Sequence, residues 1–444
     1  VLLNWHIDDS GRESHNCKPY LYPTKQKHLN QAVPHAGSTP RLMLTIGLIR
    51  EGKVPPDART PLSPKQCALA QEQWPVRFVV QPSEHRAFTD QEYRDAGITV
   101  QADVSACTVL MGVKEPPPAD LLPDKTYFFF SHTIKKQPYN RHLLQTALER
   151  RIRLIDYEVL TDDLGDRLVA FGYFAGIVGA HNGLWAYGLR TGEYELPRLY
   201  QCHSYAEALA AYAQLHLPPL RIVLTGSGRV AAGAIRNLHD MGIHGVAPEE
   251  FLHKTYDRPV FTQLFAHDYV RRKGSYSYFD KKHFYAHGDE YVSTFHHFAH
   301  ASDLFINCIY YDKRAPMFFT REDMRSAAFR IKVVADISCD IYPHGSVPTT
   351  LRASSIAEPV FGYDPATGTE TAPFLASSVD IMAVDNLPSE LPRDASTFFG
   401  QQVLDHILPA LISNVDSPVL ERATIAAHGQ LTDRYDYLAD WVKD

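Results

Sequence analysis

Leu220-Arg-Ile-Val-Leu-Thr225 runs straight into Gly226-Ser-Gly228-Arg-Val-Ala-Ala-Gly233, and a helical pattern then continues from Ala234 to Met241 and stops at Gly242. A buried strand feeding a glycine-rich turn and then a helix is half of a βαβ unit, and such units build parallel sheets. Gly226 permits the tight turn out of the strand. Gly228 lets a pyrophosphate approach the backbone, and the helix behind it offers free N–H groups and the positive end of its dipole. The spacing is GxGxxxxG, with Gly233 as the third glycine and Ala231 at the usual third position. In this strand–loop–helix context Gly226, Gly228 and Gly233 read as a dinucleotide-binding loop. A glycine-rich turn without a ligand is the plainer alternative.

The chain before this junction repeats the alternation. Met43-Leu-Thr-Ile-Gly-Leu-Ile49, Val76–Val80, Thr108–Val113, Thr126–Phe130 and Arg153–Asp156 read as strands, with helical stretches at Asp90–Ala96 and His142–Arg151. The fold class is therefore α/β with parallel sheets, and ligands collect beyond the carboxyl ends of the strands. Residues 176–218 read as a helical bridge between two such units, and Ala395–Ile412 and Val419–Val442 as closing helices. Residues 1–42 are polar, rich in His and Lys and broken by Pro23, Pro34 and Pro40, and we expect an extension outside a fold that begins at Met43.

A length of 444 residues predicts two or three domains. A net charge of -7 argues against a general nucleic-acid binder. No apolar run approaches a membrane span, the first residues lack the pattern of a secretory signal, and the six cysteines form no CxxC. We expect no membrane partner, no nucleic-acid partner and a reducing, cytoplasmic setting.

Charged residues just past the strands are the candidates for chemistry. Lys114 ends Val109-Leu-Met-Gly-Val-Lys-Glu115; in a cleft, desolvation would lower its pKa and make it a proton acceptor. His132 ends Phe128-Phe-Phe-Ser-His132, and an imidazole there can donate or accept a proton. The alternative for both is a solvated Lys and a capping His. Arg59 follows the first strand, where a guanidinium fork suits a substrate carboxylate; the alternative is a surface arginine. Asp336 and Asp340 stand near a further strand tip. The His-rich stretch His253–His300 brings metal to mind, but its histidines are scattered and we expect no metal site. The acid that holds ribose hydroxyls in NAD-binding folds belongs at the end of the second strand, placed here near Gly245-Val-Ala247; no acid sits cleanly there, which favours NADP over NAD. Arg229 suits either a 2′-phosphate or the adenine face.

Lys125-Thr-Tyr-Phe-Phe-Phe-Ser-His-Thr-Ile-Lys135, Ile152-Arg-Leu-Ile-Asp-Tyr-Glu158 and Val169-Ala-Phe-Gly172 closely resemble the lysine–ketoglutarate reductase part of the bifunctional aminoadipic semialdehyde synthases. They also resemble the stand-alone lysine-forming saccharopine dehydrogenases of fungi. The resemblance continues through Ile306–Tyr310, Ala335–Asp340, Gly362–Pro365 and Val384–Pro388 and spans about residues 43–440. More distantly the layout is similar to alanine dehydrogenase and the transhydrogenase N-terminal part.

The resemblance implies two Rossmann-like domains with the active site in the cleft between them: 43–180 with 386–444 as the catalytic domain, and 181–385 as the dinucleotide-binding domain. It implies pyridine-nucleotide-dependent interconversion of saccharopine with lysine and 2-oxoglutarate, by reduction of an imine in the synthetic direction. It makes Lys114 the proton acceptor and His132 the proton donor. Arg59, Gln137, Arg167, Phe171, Ser338, Cys339 and Asp340 match substrate contacts. Gly228, Arg229, Tyr310, Ile337, Val384, Asp385, Asn386 and Leu387 match nucleotide contacts. Two departures stand out: Asp166 replaces an arginine of the fungal forms that contacts nucleotide, and Val230 replaces a cysteine, so the corresponding disulfide cannot form. The alternatives are an alanine-dehydrogenase-like amino acid dehydrogenase and a nucleotide-binding sensor without catalysis.

Overall fold

The alternating apolar runs become two eight-stranded sheets. The computed structural model describes residues 43–53, 56–274, 278–413 and 417–443; the expected N-terminal extension, 1–42, lies outside the described residues. The first six strands are β1 (Leu44–Leu48), β2 (Val76–Val80), β3 (Thr99–Val100), β4 (Val109–Lys114), β5 (Thr126–Phe130) and β6 (Arg153–Asp156). All are parallel, in the order β6-β5-β4-β1-β2-β3.

The second sheet begins with β7 (Arg221–Thr225), β8 (His244–Gly245) and β9 (Val260–Leu264). A small antiparallel pair, β10 (Val270–Arg272) and β11 (Tyr291–Ser293), stands apart from it. The sheet resumes with β12 (Leu304–Asn307), β13 (Val333–Asp336), β14 (Val360–Asp364), β15 (Thr369–Thr371) and β16 (Val379–Met382). Its order is β15-β14-β16-β13-β12-β7-β9-β8, parallel except for β14, which runs antiparallel to both of its neighbours.

Period-two alternation sends each strand's side chains to two different cores, which is why the strands read as continuous apolar runs rather than alternating ones. Phe128 and Phe130 of β5 face one core, and Tyr127 and Phe129 the other. In the second sheet Ile222 and Leu224 face the first of these cores, and Val223 faces a third. The core shared by both sheets also holds the helix Gly172–Thr191, whose Phe174, Ile177, Val178 and Leu184 are buried.

That helix crosses the glycine-loop helix Arg229–Asp240 at very short range. A Cβ added at Gly176 would overlap the Val230 carbonyl oxygen, and one at Gly233 would overlap the Tyr173 carbonyl oxygen. The third glycine of the loop pattern therefore faces a neighbouring helix.

The segment Val419–Val442 does not form the helix expected from the sequence. After a short helix, Pro418–Ala423, come β17 (Thr424–Ala427) and β18 (Gln430–Leu431). His428 and Gly429 both have positive φ, +54° and +84°, and make the two-residue turn between them. β17 lies antiparallel on β6 and closes that edge of the first sheet. Edge coverage outweighs the helical propensity of the alanines. No helix among the described residues is long and apolar enough to cross a membrane.

Candidate active site

In each parallel sheet the chain leaves one strand to either side, and ligands gather at that switch point. In the first sheet the switch lies between β1 and β4. The loop after β1 and the tip of β4 meet there. The Glu51 carboxylate accepts hydrogen bonds from the backbone N–H groups of Val113 (2.6 Å) and Lys114 (2.9 Å), which fixes the end of β4. Burial pushes the Glu51 carboxyl up to about 8. Burial also holds the Lys114 ammonium below the usual lysine range; the Arg59 guanidinium adds to this and the Asp57 carboxylate opposes it. Lys53 pairs with Glu115 at 2.8 Å beside it.

Arg59 is neither a solvated arginine nor an open fork. It is 4% exposed, its Nε and Nη2 donate to Asp57 at 2.9 and 2.6 Å, and Nη2 also donates to Asn386 at 2.8 Å. Its guanidinium lies 4.3 Å over the Phe171 ring, which stacks on Phe399 at 4.4 Å. The edge expected to grip a substrate carboxylate is closed on an internal one. Burial alone would raise the Asp57 carboxyl, but Arg59 overcomes this and holds it well below the ordinary range.

His132 follows β5 in a left-handed conformation, φ +53°. Buried Asp156 holds the turn: it accepts from the Ser131 N–H (3.2 Å) and hydroxyl (2.5 Å), and from the Glu158 N–H (2.7 Å). Glu158 faces His132 Nδ1 at 3.0 Å and Lys135 Nζ at 2.9 Å. Burial would raise the Glu158 carboxyl, but these two bonds bring it down to about 2. Lys114 and Phe130 are register partners, so Lys114 and His132 leave one edge of the sheet on adjacent strands. The Gln137 side-chain oxygen accepts from the Tyr139 hydroxyl at 2.5 Å.

The second switch point lies between β7 and β12. Gly226 has φ +109°, and a Cβ there would stand 2.7 Å from the Cys308 carbonyl oxygen, so only glycine fits. Gly228 faces open space. Tyr310 is almost wholly exposed. Ile337 and Leu387 pack against the long helix at Gly179. Val384 is buried and bridges to Ser354, and Asp385 is exposed. The Ser338 hydroxyl donates to buried Asp336 at 2.7 Å, which also accepts from Asn307 and Thr350. Cys339 has φ +54° and its Sγ donates to the Ala383 carbonyl at 3.0 Å. Burial and Asp336 raise the half-buried Asp340 carboxyl, and Lys135, from the other sheet, opposes them. The Asn386–Arg59 bond joins the segment after β16 to the loop after β1.

One assignment is corrected. The strand placed at residues 245–247 is the outer strand β8; the strand beside β7 is β9. Gly226 N–H donates to the Leu264 carbonyl (3.2 Å), and Gln263 Nε2 donates to the Gly226 carbonyl (2.8 Å). The residues flanking a bound ribose would thus be Phe265–Asp268. Asp268 accepts from the Phe265 N–H at 2.7 Å and lies 3.4 Å from His267 Nε2. Glu51, Asp57, Glu115 and Glu158 were not singled out from the sequence, although all four surround the Lys114/His132 edge. In the His-rich stretch the His296 and His297 rings touch at 3.9 Å, and among the described residues no group of three or more His, Cys, Asp or Glu side chains is placed to hold a metal ion.

These paired sheets and facing strand edges define a class. Residues 47–178 match the family model described as alanine dehydrogenase/PNT, N-terminal domain. The fold is that of an L-alanine dehydrogenase (TM-score 0.60, 17% identity, 90% of this chain and 100% of that one) and of a transhydrogenase from Sinorhizobium meliloti (TM-score 0.54, 12% identity, 87% and 100%). Over most of its length the chain is similar in sequence to aminoadipic semialdehyde synthases and to saccharopine dehydrogenases. It is 32% identical over 428 residues to the mitochondrial alpha-aminoadipic semialdehyde synthase of Rattus norvegicus, covering 86% of this chain and 46% of that one. The Arabidopsis thaliana alpha-aminoadipic semialdehyde synthase is also 32% identical, over 88% of this chain and 41% of its own. Saccharopine dehydrogenase [NAD(+), L-lysine-forming] of Emericella nidulans is 26% identical over 81% of this chain and 90% of its own. The chain spans about half the length of the synthases.

Proposed function

We propose that the chain is an oxidoreductase of the lysine-forming saccharopine dehydrogenase type, interconverting saccharopine with lysine and 2-oxoglutarate. The observation that carries this reading is the placement of Lys114 and His132 on adjacent strand ends, together with similarity to a protein named for that activity. Bound nicotinamide supplies or accepts the hydride. The protein's own residues move protons. A depressed lysine is neutral over more of the working pH range and accepts a proton as carbon–nitrogen chemistry proceeds, while His132, oriented by Glu158, donates one. We propose that Gly226 and Gly228 seat the dinucleotide, with Tyr310, Asp385 and Leu387 beside it.

NADP is the proposed cofactor. Its support is that both Asp268 oxygens at the β9 tip already have protein partners, the Phe265 N–H and the exposed His267 side chain. The five described cysteines are free, which supports a reducing compartment, the cytosol in our reading; fractionation of cells carrying a tagged chain tests this. The decisive assay follows nucleotide oxidation with lysine plus 2-oxoglutarate, and separately with pyruvate plus ammonia, using NADPH and NADH side by side. Turnover only with the first pair, faster with NADPH, is expected. Turnover with pyruvate and ammonia makes it an amino acid dehydrogenase. Nucleotide binding with no turnover makes it a sensor.

Glu158→Gln is expected to lower kcat about tenfold, because the neutral amide no longer holds His132 and Lys135 by charge-assisted bonds. Dinucleotide affinity should stay at the parent value, measured by fluorescence titration. An unchanged kcat would remove Glu158 from the site.

A further inference from the structure

A cavity of about 390 Å³ opens at the amino edge of the second sheet, the edge opposite the glycine loop. Asp303 and Lys332 line it and directly precede the parallel strands β12 and β13. Tyr187, Arg190 and Glu193 line it at the carboxyl end of the helix Gly172–Thr191. Its size is that of a small-molecule site. Two of its cations are already neutralised. Arg190 Nη1 donates to buried Asp380 at 2.7 Å, and Arg330 Nε donates to buried Asp303 at 3.0 Å. The second Asp303 oxygen accepts from the Arg221 N–H at 3.0 Å, and the second Asp380 oxygen accepts from the Phe374 N–H at 2.7 Å. Both carboxylates are thereby engaged at both oxygens.

The remaining groups are unmatched. Lys332 and Glu193 are exposed, and among the described residues neither side chain has an ion-pair or hydrogen-bond partner. Tyr187 is 4% exposed, and its hydroxyl has no hydrogen-bond partner among the described residues. Burial, with Asp303 and Glu193 adding to it, pushes this hydroxyl up to about 12, so it keeps its proton and can donate. An unmet hydroxyl at that depth costs free energy until something accepts from it. The carbonyls that end the helix carry the negative end of its dipole. A plain anion would suit Lys332 and Tyr187 but be repelled by Glu193 and the helix end. A plain cation would meet the reverse. A ligand bearing both charges a few bonds apart satisfies all four.

We propose that this cavity binds the zwitterionic head of a free α-amino acid, a second small-molecule site on the far edge of the sheet from the catalytic cleft. The carboxylate meets the Lys332 ammonium and the Tyr187 hydroxyl. The ammonium lies toward Glu193 and the helix end. The test is calorimetric titration of the full chain with L-serine and L-glutamate, and with serine stripped of one charge at a time: 3-hydroxypropanoate lacks the ammonium, and 2-aminoethanol lacks the carboxylate. Both amino acids should bind, each more tightly than either stripped compound. Lys332→Gln and Glu193→Gln should each weaken L-serine binding by about three- to fivefold, the scale of an exposed charge pair. The stripped compounds should respond in a crossed pattern. Glu193→Gln should leave 3-hydroxypropanoate no weaker than in the parent, and Lys332→Gln should leave 2-aminoethanol no weaker. Tyr187→Phe should weaken L-serine binding yet melt no lower than the parent, because the hydroxyl has no protein partner to lose. Failure of both amino acids to bind overturns the proposal. Binding that Lys332→Gln and Glu193→Gln leave unchanged also overturns it, since the amino acid then sits in the cleft. Binding of 3-hydroxypropanoate as tight as that of L-serine overturns it in favour of a plain anion site.

Discussion

Replacing Lys114 with methionine is expected to lower turnover by about 10²–10⁴-fold, the range of a lost general acid–base group, while dinucleotide affinity holds. Methionine keeps the length and the apolar stem but cannot exchange a proton. The pH profile gives the sharper reading. A proton acceptor works as the neutral amine, so the rate rises with pH as Lys114 loses its proton. Burial and Arg59 hold its pKa below the ordinary lysine value, so the midpoint of that limb should fall below about 10.4. The limb should vanish in Lys114→Met. It should move to higher pH in Arg59→Ala, which removes a positive neighbour and leaves Asp57 unneutralised. Steady-state rates from pH 6 to 10 measure all three; equal loss of turnover and of dinucleotide affinity in Lys114→Met would contradict the role.

Gly176→Ala is expected to destabilise the fold by about 3 kcal/mol or more, the upper range for overpacking. The added methyl would strike backbone, the Val230 carbonyl and the Ala234 nitrogen, which cannot rotate aside as a side chain can. The helices Gly172–Thr191 and Arg229–Asp240 would have to separate, and the glycine loop would move with the second. At about 2–4 °C per kcal/mol, the melting temperature should drop by about 6–12 °C. Gly233→Ala should behave alike. Gly228→Ala is the contrast: a methyl there meets open space, so the melting temperature should hold while dinucleotide binding weakens. Calorimetry of the three variants decides it, and a Gly176→Ala protein that melts with the parent would show that the crossing is slack.

What could be read from the sequence was local. The run from Leu220 to Gly242 announces strand, loop and helix because each signal lies within a few residues of the next. Lys114 and His132 stand out because each ends an apolar run. Their acidic neighbours do not, since Glu51 reaches Lys114 across 63 residues and Glu158 reaches His132 across 26. Strand order is equally non-local: β8 follows the glycine-loop helix directly, but β9 takes the place beside β7. Arg59 lies in the loop after β1, and its closure on Asp57 and Asn386 depends on a residue 327 positions away. The helix expected at Val419–Val442 followed composition; the His428-Gly429 pair was the local signal for a hairpin, and it was outweighed by the alanines around it.

The late strand β17, which pairs with β6, has a consequence for biogenesis. Arg153 of β6 meets Thr424 of β17 across 271 residues of chain. During translation the rim of the first sheet therefore emerges long before the strand that shields it, and stays a naked template for any other extended polypeptide. A nascent chain that has not yet reached β17 would be prone to stick to its neighbours on the polysome.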